Sequence, residues 1–382
     1  MKEKINKNYK IIEKQADLAN IIKSFEGEKN IAFDLEADSM FHFKEKVCLL
    51  QVAAKEINIL IDPLKIKDLS LLKPLFLNRD IKKIFHGADY DVRSLYRDFS
   101  IEINNLFDTE IACRFLGFKE TGLGTVLQKR FDVSLDKKYQ KKNWSQRPLP
   151  DSMIEYAAKD TKYLAPLASI LEKELEKKGR LDWVVEECEN LSKVRHALGN
   201  GEPLFLRFKG AGRLMPKSLA ALETLLQFRM EIAEKKDRPL FKIFGNDSLM
   251  KLAVAKPVTL RSLKALNALS PKQISMYGEA LIDRIRNALK IPEDKLPRYP
   301  RKRMSVLGNG VSKRIKRLKV WRDSMAQQLE IDPGIVCNKA LMSAIAVENP
   351  SDIEKLEAIK EMKNWQKKEF GKDIVDFLKK EN

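Results

Sequence analysis

A chain of 382 residues is too long for one ordinary core, so two or three domains are expected. Hydrophobic residues make up 44% and charged residues 33%, which describes a folded protein with a heavily charged surface. No apolar run approaches the roughly 20 residues of a membrane helix, and the first residues lack the apolar core of an export signal. Cys48, Cys113, Cys188 and Cys337 lie far apart without CxxC spacing, so reduced, buried thiols in a cytoplasmic protein are expected. The net charge of +18 is unevenly spread. Residues 1–200 carry 35 basic against 32 acidic side chains, whereas residues 251–350 carry 20 against 8. Such a cationic module beside a near-neutral one points to a polyanion, nucleic acid above all.

In chain order, residues 11–25 are expected to open as a helix with Asp17 near its start. Strands follow at Asn30–Leu35, Val47–Ala53 and Ile57–Ile61, a meander closed by Asp62-Pro63. Residues 69–76 read as a helix, 82–85 as a strand and 89–98 as a helix. A short strand at 106–108 precedes helices at 109–116 and 122–131, with Asp108 as the cap of the first. An antiparallel meander followed by such alternation predicts a mixed sheet with helices on both faces. Residues 132–150 read as irregular and basic. A helix over 151–178 should follow, capped by Asp151 or Ser152. Gly199, Gly201, Pro203, Gly210, Gly212 and Pro216 mark the main boundary. Beyond it Phe228-Arg229, Ala253-Val254 and Tyr277-Gly278 recur 93 residues later as Trp321-Arg322, Ala346-Val347 and Phe370-Gly371, so two copies of one helical unit are expected. The division predicted is 1–198, a linker 199–215, a helical domain 216–290, a basic linker 291–312 and a second helical domain 313–382.

Three acidic stretches carry the chemistry. Asp34 and Glu36 stand two apart on the first meander strand and share a face. Two carboxylates so close raise each other's pKa unless a cation lies between them, and oxygen-rich sites suit Mg²⁺ or Mn²⁺. His86 to Asp91 spans a strand end turning into a helix. Tyr156 and Asp160 lie four apart on one helical face. These stretches resemble the D-x-E, H-x(4)-D and Y-x(3)-D motifs of the tyrosine-bearing subclass of the DEDD superfamily of 3′→5′ exonucleases. The trailing repeats resemble HRDC domains, and one exonuclease domain with two such repeats is similar to the ribonuclease D family.

The resemblance implies an α/β RNase H-like exonuclease domain followed by two all-α HRDC-like domains. It also implies hydrolysis of phosphodiester bonds with two divalent ions, Mg²⁺ or Mn²⁺. The residue matching Asp34 would touch both ions, those matching Glu36 and Asp160 the ion that activates water, and that matching Asp91 the second. Tyr156 would orient the water. It further implies a 3′→5′ exoribonuclease that releases nucleoside 5′-monophosphates, with precursor tRNA as substrate. A DNA exonuclease with the same site and a catalytically silent RNA-binding scaffold are the alternatives. Asp91 is preferred over Asp89 only because the motif spacing from His86 selects it. Met40, Phe41, His42 and Phe43 form a candidate stacking or wedging loop. His86, Lys159, Lys162 and the linker residues Arg298, Arg301 and Arg303 around Tyr299 are further candidate nucleic-acid contacts. No feature implies a protein partner.

Overall fold

The computed structural model describes residues 9–25, 27–55, 57–66, 68–196, 201–300 and 308–379. Its described residues divide into two compact units, one from within 1–37, 47–196 and 305–382, the other from within 38–46 and 197–304.

The first unit is built on six strands: β1 Lys10–Ile12, β2 Asn30–Ala37, β3 Val47–Ala54, β4 Ile57–Ile61, β5 Lys82–Phe85 and β6 Leu106–Asp108. They lie in the order β1-β4-β3-β2-β5-β6. The meander β2-β3-β4 is antiparallel, while β1, β5 and β6 add parallel to their neighbours. This is the mixed sheet the alternation predicted. All eight residues of β3 are buried, as a central strand covered on both faces demands. Around the sheet lie α1 Gln15–Lys23, α2 Lys73–Leu77, α3 Asp89–Phe99, α4 Thr109–Phe115, α5 Leu123–Phe131, α6 Asp151–Asp160, α7 Leu164–Lys177 and α8 Leu181–Ser192. Phe33 on β2 stacks on Phe85 at 5.5 Å and meets the tilted ring of Phe76 at 4.5 Å, which joins the sheet centre to α2.

Three local expectations need correction. The helix expected from residue 11 begins only at Gln15, because residues 10–12 pair in parallel with β4 and bury Ile12. The expected long helix is two, α6 and α7, broken at residues 161–163. Pro166 has no N–H for the Lys162 carbonyl and its ring crowds that carbonyl, which disfavours a continuous helix through this turn. At the start of α6 the cap position is Pro150, and neither Asp151 nor Ser152 occupies it. Asp108 does cap α4, accepting from the backbone N–H of Glu110 and Ile111.

The second unit contains α9 Pro216–Lys235, α10 Leu240–Ile243, α11 Asn246–Ala255, α12 Leu260–Ala265 and α13 Pro271–Leu289. The first unit ends with α14 Asn309–Leu329, α15 Pro333–Val336, α16 Lys339–Glu348, α17 Ile353–Glu357 and α18 Asn364–Lys379. Each of these five helices starts 93 residues after its counterpart, so the repeat read from the sequence is real. The copies differ in company. The second shares a continuous apolar core with the sheet and its helices. The first has its own core, into which Phe205, Phe208 and Ala211 of the expected linker are folded. Tyr299 is likewise engaged, its ring 6.2 Å from Phe205 and its hydroxyl donating to the Leu206 carbonyl at 3.1 Å. Among the described residues no helix is long and apolar enough to cross a membrane. All four cysteines are buried, and none is in a disulfide.

Candidate active site

Strand β2 delivers the first two acids. Asp34 lies opposite Gln51 and Glu36 opposite Leu49, and the pairing slips between Glu36 and Ala37. A bulge there ends the ladder beside the acids and re-aims the strand end. Gln51 is fully buried, and its amide, oriented to satisfy both groups, donates to Asp34 Oδ2 at 2.9 Å.

The third acid arrives through the turn between β5 and α3. Gly87 has φ +74°, and a Cβ there would meet a Glu110 carboxylate oxygen at 2.8 Å, so the turn takes glycine. The backbone N–H groups of Gly87 and Ala88 donate to the Asp108 carboxylate at 2.9 and 2.7 Å. Asp108 therefore holds two structures together, its own helix and the start of α3. Asp91 is buried in the first turn of α3, whereas Asp89 is exposed and paired with Arg93 at 2.9 Å. The choice that motif spacing made between them agrees with burial. His86 Nδ1 lies 2.9 Å from Thr109 Oγ1, which donates to the Phe85 carbonyl. Burial holds the His86 imidazole below its ordinary range despite Asp108 and Glu110, so it is neutral near pH 7.

The third segment is α6, where Tyr156 and Asp160 share the buried face. Tyr156 is gripped by the irregular stretch: its ring lies 5.5 Å from Tyr139 and 6.1 Å from the fully buried Trp144. Arg147 pins that stretch to the sheet, donating to both Asp62 oxygens (2.7 and 2.8 Å) and to the carbonyls of Cys48 and Trp144. Sequence reasoning passed over Trp144, Arg147 and Gln51. A tryptophan inside a basic loop was the available signal, since burying it needs a partner surface.

Asp34, Glu36, His86, Tyr156 and Asp160 line one cleft of about 210 Å³, with Leu123, Gly124 and Gln140 at its walls. Burial is the main force on every acid. It pushes Asp34 up to about 7, Asp160 up to about 8 with help from Asp34, and Glu36 up to about 10 with help from Asp34, Asp160 and Asp91. Asp91 is raised well above the ordinary carboxylate range by burial and then by Asp34. Tyr156 is driven upward by burial, Asp160 and Glu36, which leaves it a neutral hydroxyl. Among the described residues, no cationic side chain is among the groups that shift these acids. Among the described residues no three His, Cys, Asp or Glu side chains stand close enough together to hold a metal ion without side-chain adjustment. The buried Oδ1 of Asp160 has no hydrogen-bond partner. An all-oxygen acidic set with an orphaned oxygen fits hard divalent cations.

The linkage sign follows from these shifts. Between about pH 4 and pH 8 the folded chain binds more protons than the unfolded chain, so stability falls as pH rises. In chelator, thermal melting is expected to drop across that window, and Mg²⁺ or Mn²⁺ is expected to restore most at its alkaline end with release of protons. A melting temperature that rises from pH 5 to pH 8 in chelator would sink this account.

The other sequence candidates fall elsewhere. Met40, Phe41 and Phe43 belong to the helical unit, and Phe43 packs against its apolar core. Lys159, Lys162 and Arg298 are exposed. Arg301 and Arg303 lie outside the described residues.

A strand end, a turn and a helix bring the four carboxylates and the tyrosine together, and the 3′-5′ exonuclease family's model matches residues 9–176, while the HRDC domain matches residues 218–285 and 312–378. Ribonuclease D of Haemophilus influenzae is 29% identical over 76% of this chain and 73% of its own, and that of Bartonella henselae is 27% identical over 98% and 91%. The crystal structure of Escherichia coli RNase D, described as an exoribonuclease involved in structured RNA processing, covers 98% of this chain and 99% of its own at TM-score 0.75 and 25% identity. Nearly the whole chain is similar to ribonuclease D, and the chain is a 3′-5′ exoribonuclease with HRDC repeats.

Proposed function

We propose that this exoribonuclease removes 3′ trailers from precursor tRNA in the cytoplasm, releasing nucleoside 5′-monophosphates with the help of two divalent ions. The observation that carries the metal reading is the cluster of four carboxylates, raised by burial and by one another, with no cationic side chain of the described residues among the groups acting on them. Asp34, Glu36 and Asp160 would hold one ion, and Asp34 with Asp91 the other. Bound ions would supply positive charge to the attacking and leaving oxygens of an already anionic phosphate. The neutral Tyr156 hydroxyl positions the attacking water without competing as a ligand, and the rings of Tyr139 and Trp144 hold it in place. The basic repeats grip the RNA body through phosphates, so affinity falls steeply with salt.

The test is a 5′-labelled tRNA with a short 3′ trailer, incubated with Mg²⁺, Mn²⁺ or EDTA beside single-stranded DNA. A metal-dependent ladder that shortens one nucleotide at a time and stops at the mature end is expected. Shortening that ignores the mature end would remove the tRNA-trailer assignment. A ladder on DNA alone would favour the DNA exonuclease, and tight binding without shortening the silent scaffold.

A further inference from the structure

The two helical copies present the same face to different surroundings. In the second copy Ile331, Ile335 and Trp365 are buried, at 7%, 9% and 4% exposure. Ile331 and Ile335 line the seam shared with Arg114 and Gly117 of the exonuclease domain, and Trp365 stacks on Trp183 of α8 at 4.6 Å. Moving back 93 residues, the first copy carries Arg238, Lys242 and Lys272 at those positions, all exposed. Between them Phe241 replaces Gly334 and is 52% exposed, beside Leu240 at 37%. A face that docks on protein in one copy is rebuilt in the other from cations around a solvent-facing aromatic ring.

The loop 38–46 completes this surface. Asp237 accepts from the Phe43 backbone N–H at 3.0 Å and lies 2.7 Å from His42 Nδ1, and Lys44 pairs with Glu234 at 3.5 Å. So held, the loop places the Phe41 ring under Lys242 Nζ at 4.5 Å and leaves Met40 40% exposed. Three acids on this side face a basic partner: Asp237 has His42, Glu234 has Lys44 and Glu231 has Arg284.

We propose that Phe241 and Phe41, flanked by Arg238, Lys242 and Lys272, form a stacking platform for unpaired nucleobases of single-stranded RNA. Aromatic faces accept any base, and the surrounding cations take the phosphates between bases. Three cations where the sister copy has two isoleucines and a tryptophan argue for a polyanion over a protein partner. The identity of that polyanion as RNA rests on the exoribonuclease activity.

The test measures binding of a fluorescein-labelled, unstructured RNA of about twelve nucleotides to the full chain in EDTA, so that nothing is cut. Phe241→Ala is expected to weaken binding about tenfold with the salt dependence unchanged, while Phe241→Trp retains it. Lys242→Gln is expected to reduce the slope of log affinity against log salt by about 0.7. Melting temperatures of all variants, at exposed positions, should match the parent. Parental binding by Phe241→Ala overturns the proposal. So does a parent dimer that Phe241→Ala dissociates without loss of RNA affinity, since the face would then belong to a second copy. Failure of the activity itself would show separately, as a parent that binds RNA but never shortens it when metal is added.

Discussion

Replacing Asp34 by asparagine is expected to lower exonuclease activity at least about a thousandfold and, in chelator, to raise the melting temperature. Both effects have one cause. Asp34 is the acid whose charge bears on Glu36, Asp91, Asp160 and Tyr156 alike. Asparagine keeps the shape and lets Gln51 remain opposite, but removes the charge that the other acids oppose. The variant therefore folds more readily without metal and has lost the donor common to both proposed ions. Melting curves with and without Mn²⁺, beside a trailer-shortening assay, read the two effects together. A variant that melts lower than the parent in chelator would mean that the Asp34 charge is compensated within the fold, and the metal reading would fall.

Trp365→Ala is expected to destabilise the exonuclease unit by about 3–5 kcal/mol, the usual range for deleting a buried large aromatic side chain. Trp365 stacks on Trp183, meets Phe115 edge-on at 5.5 Å and donates from its indole to Glu187 at 2.9 Å. Glu187 also takes Lys363 at 2.6 Å, and the guanidinium of Arg180 bridges the carbonyls of Phe115 and Leu329. The second repeat is thus part of the core that supports α4 and α8, and α8 backs the Asp108 turn through Cys188 Sγ. Gly117→Ala tests the same seam from the other side: its φ is +88° and an added Cβ would stand 2.1 Å from the Glu330 carbonyl oxygen. The matched control is Lys272→Ala, the first-copy equivalent, which is expected to change stability by less than about 0.5 kcal/mol. Denaturant unfolding of the three variants decides it. Equal stability of Trp365→Ala and Lys272→Ala would mean that the second repeat does not brace the catalytic unit.

Much of this molecule follows from local pattern. Period-two alternation puts Asp34 and Glu36 on one strand face, helical spacing puts Tyr156 and Asp160 on one side of α6, and the 93-residue recurrence reproduces all five helices of the repeat. The Asp108 cap follows from its place before a helix. Each is set within a few neighbouring residues, where backbone geometry dictates which side chains share a face. Tertiary structure decided the rest: that Trp144 and Tyr139 hold the Tyr156 ring, that Asp108 also fastens the turn bearing Asp91, that the loop after the first acids joins the helical unit, and that the second repeat enters the exonuclease core. The docking choice left one trace in the sequence, isoleucines and a tryptophan where the sister copy has cations, but it reads as a contact only once the partner surface around Trp183 is known. Contacts between segments tens to nearly two hundred residues apart have no local period, because packing is selected by the shape and charge of a surface that exists only after both segments have folded.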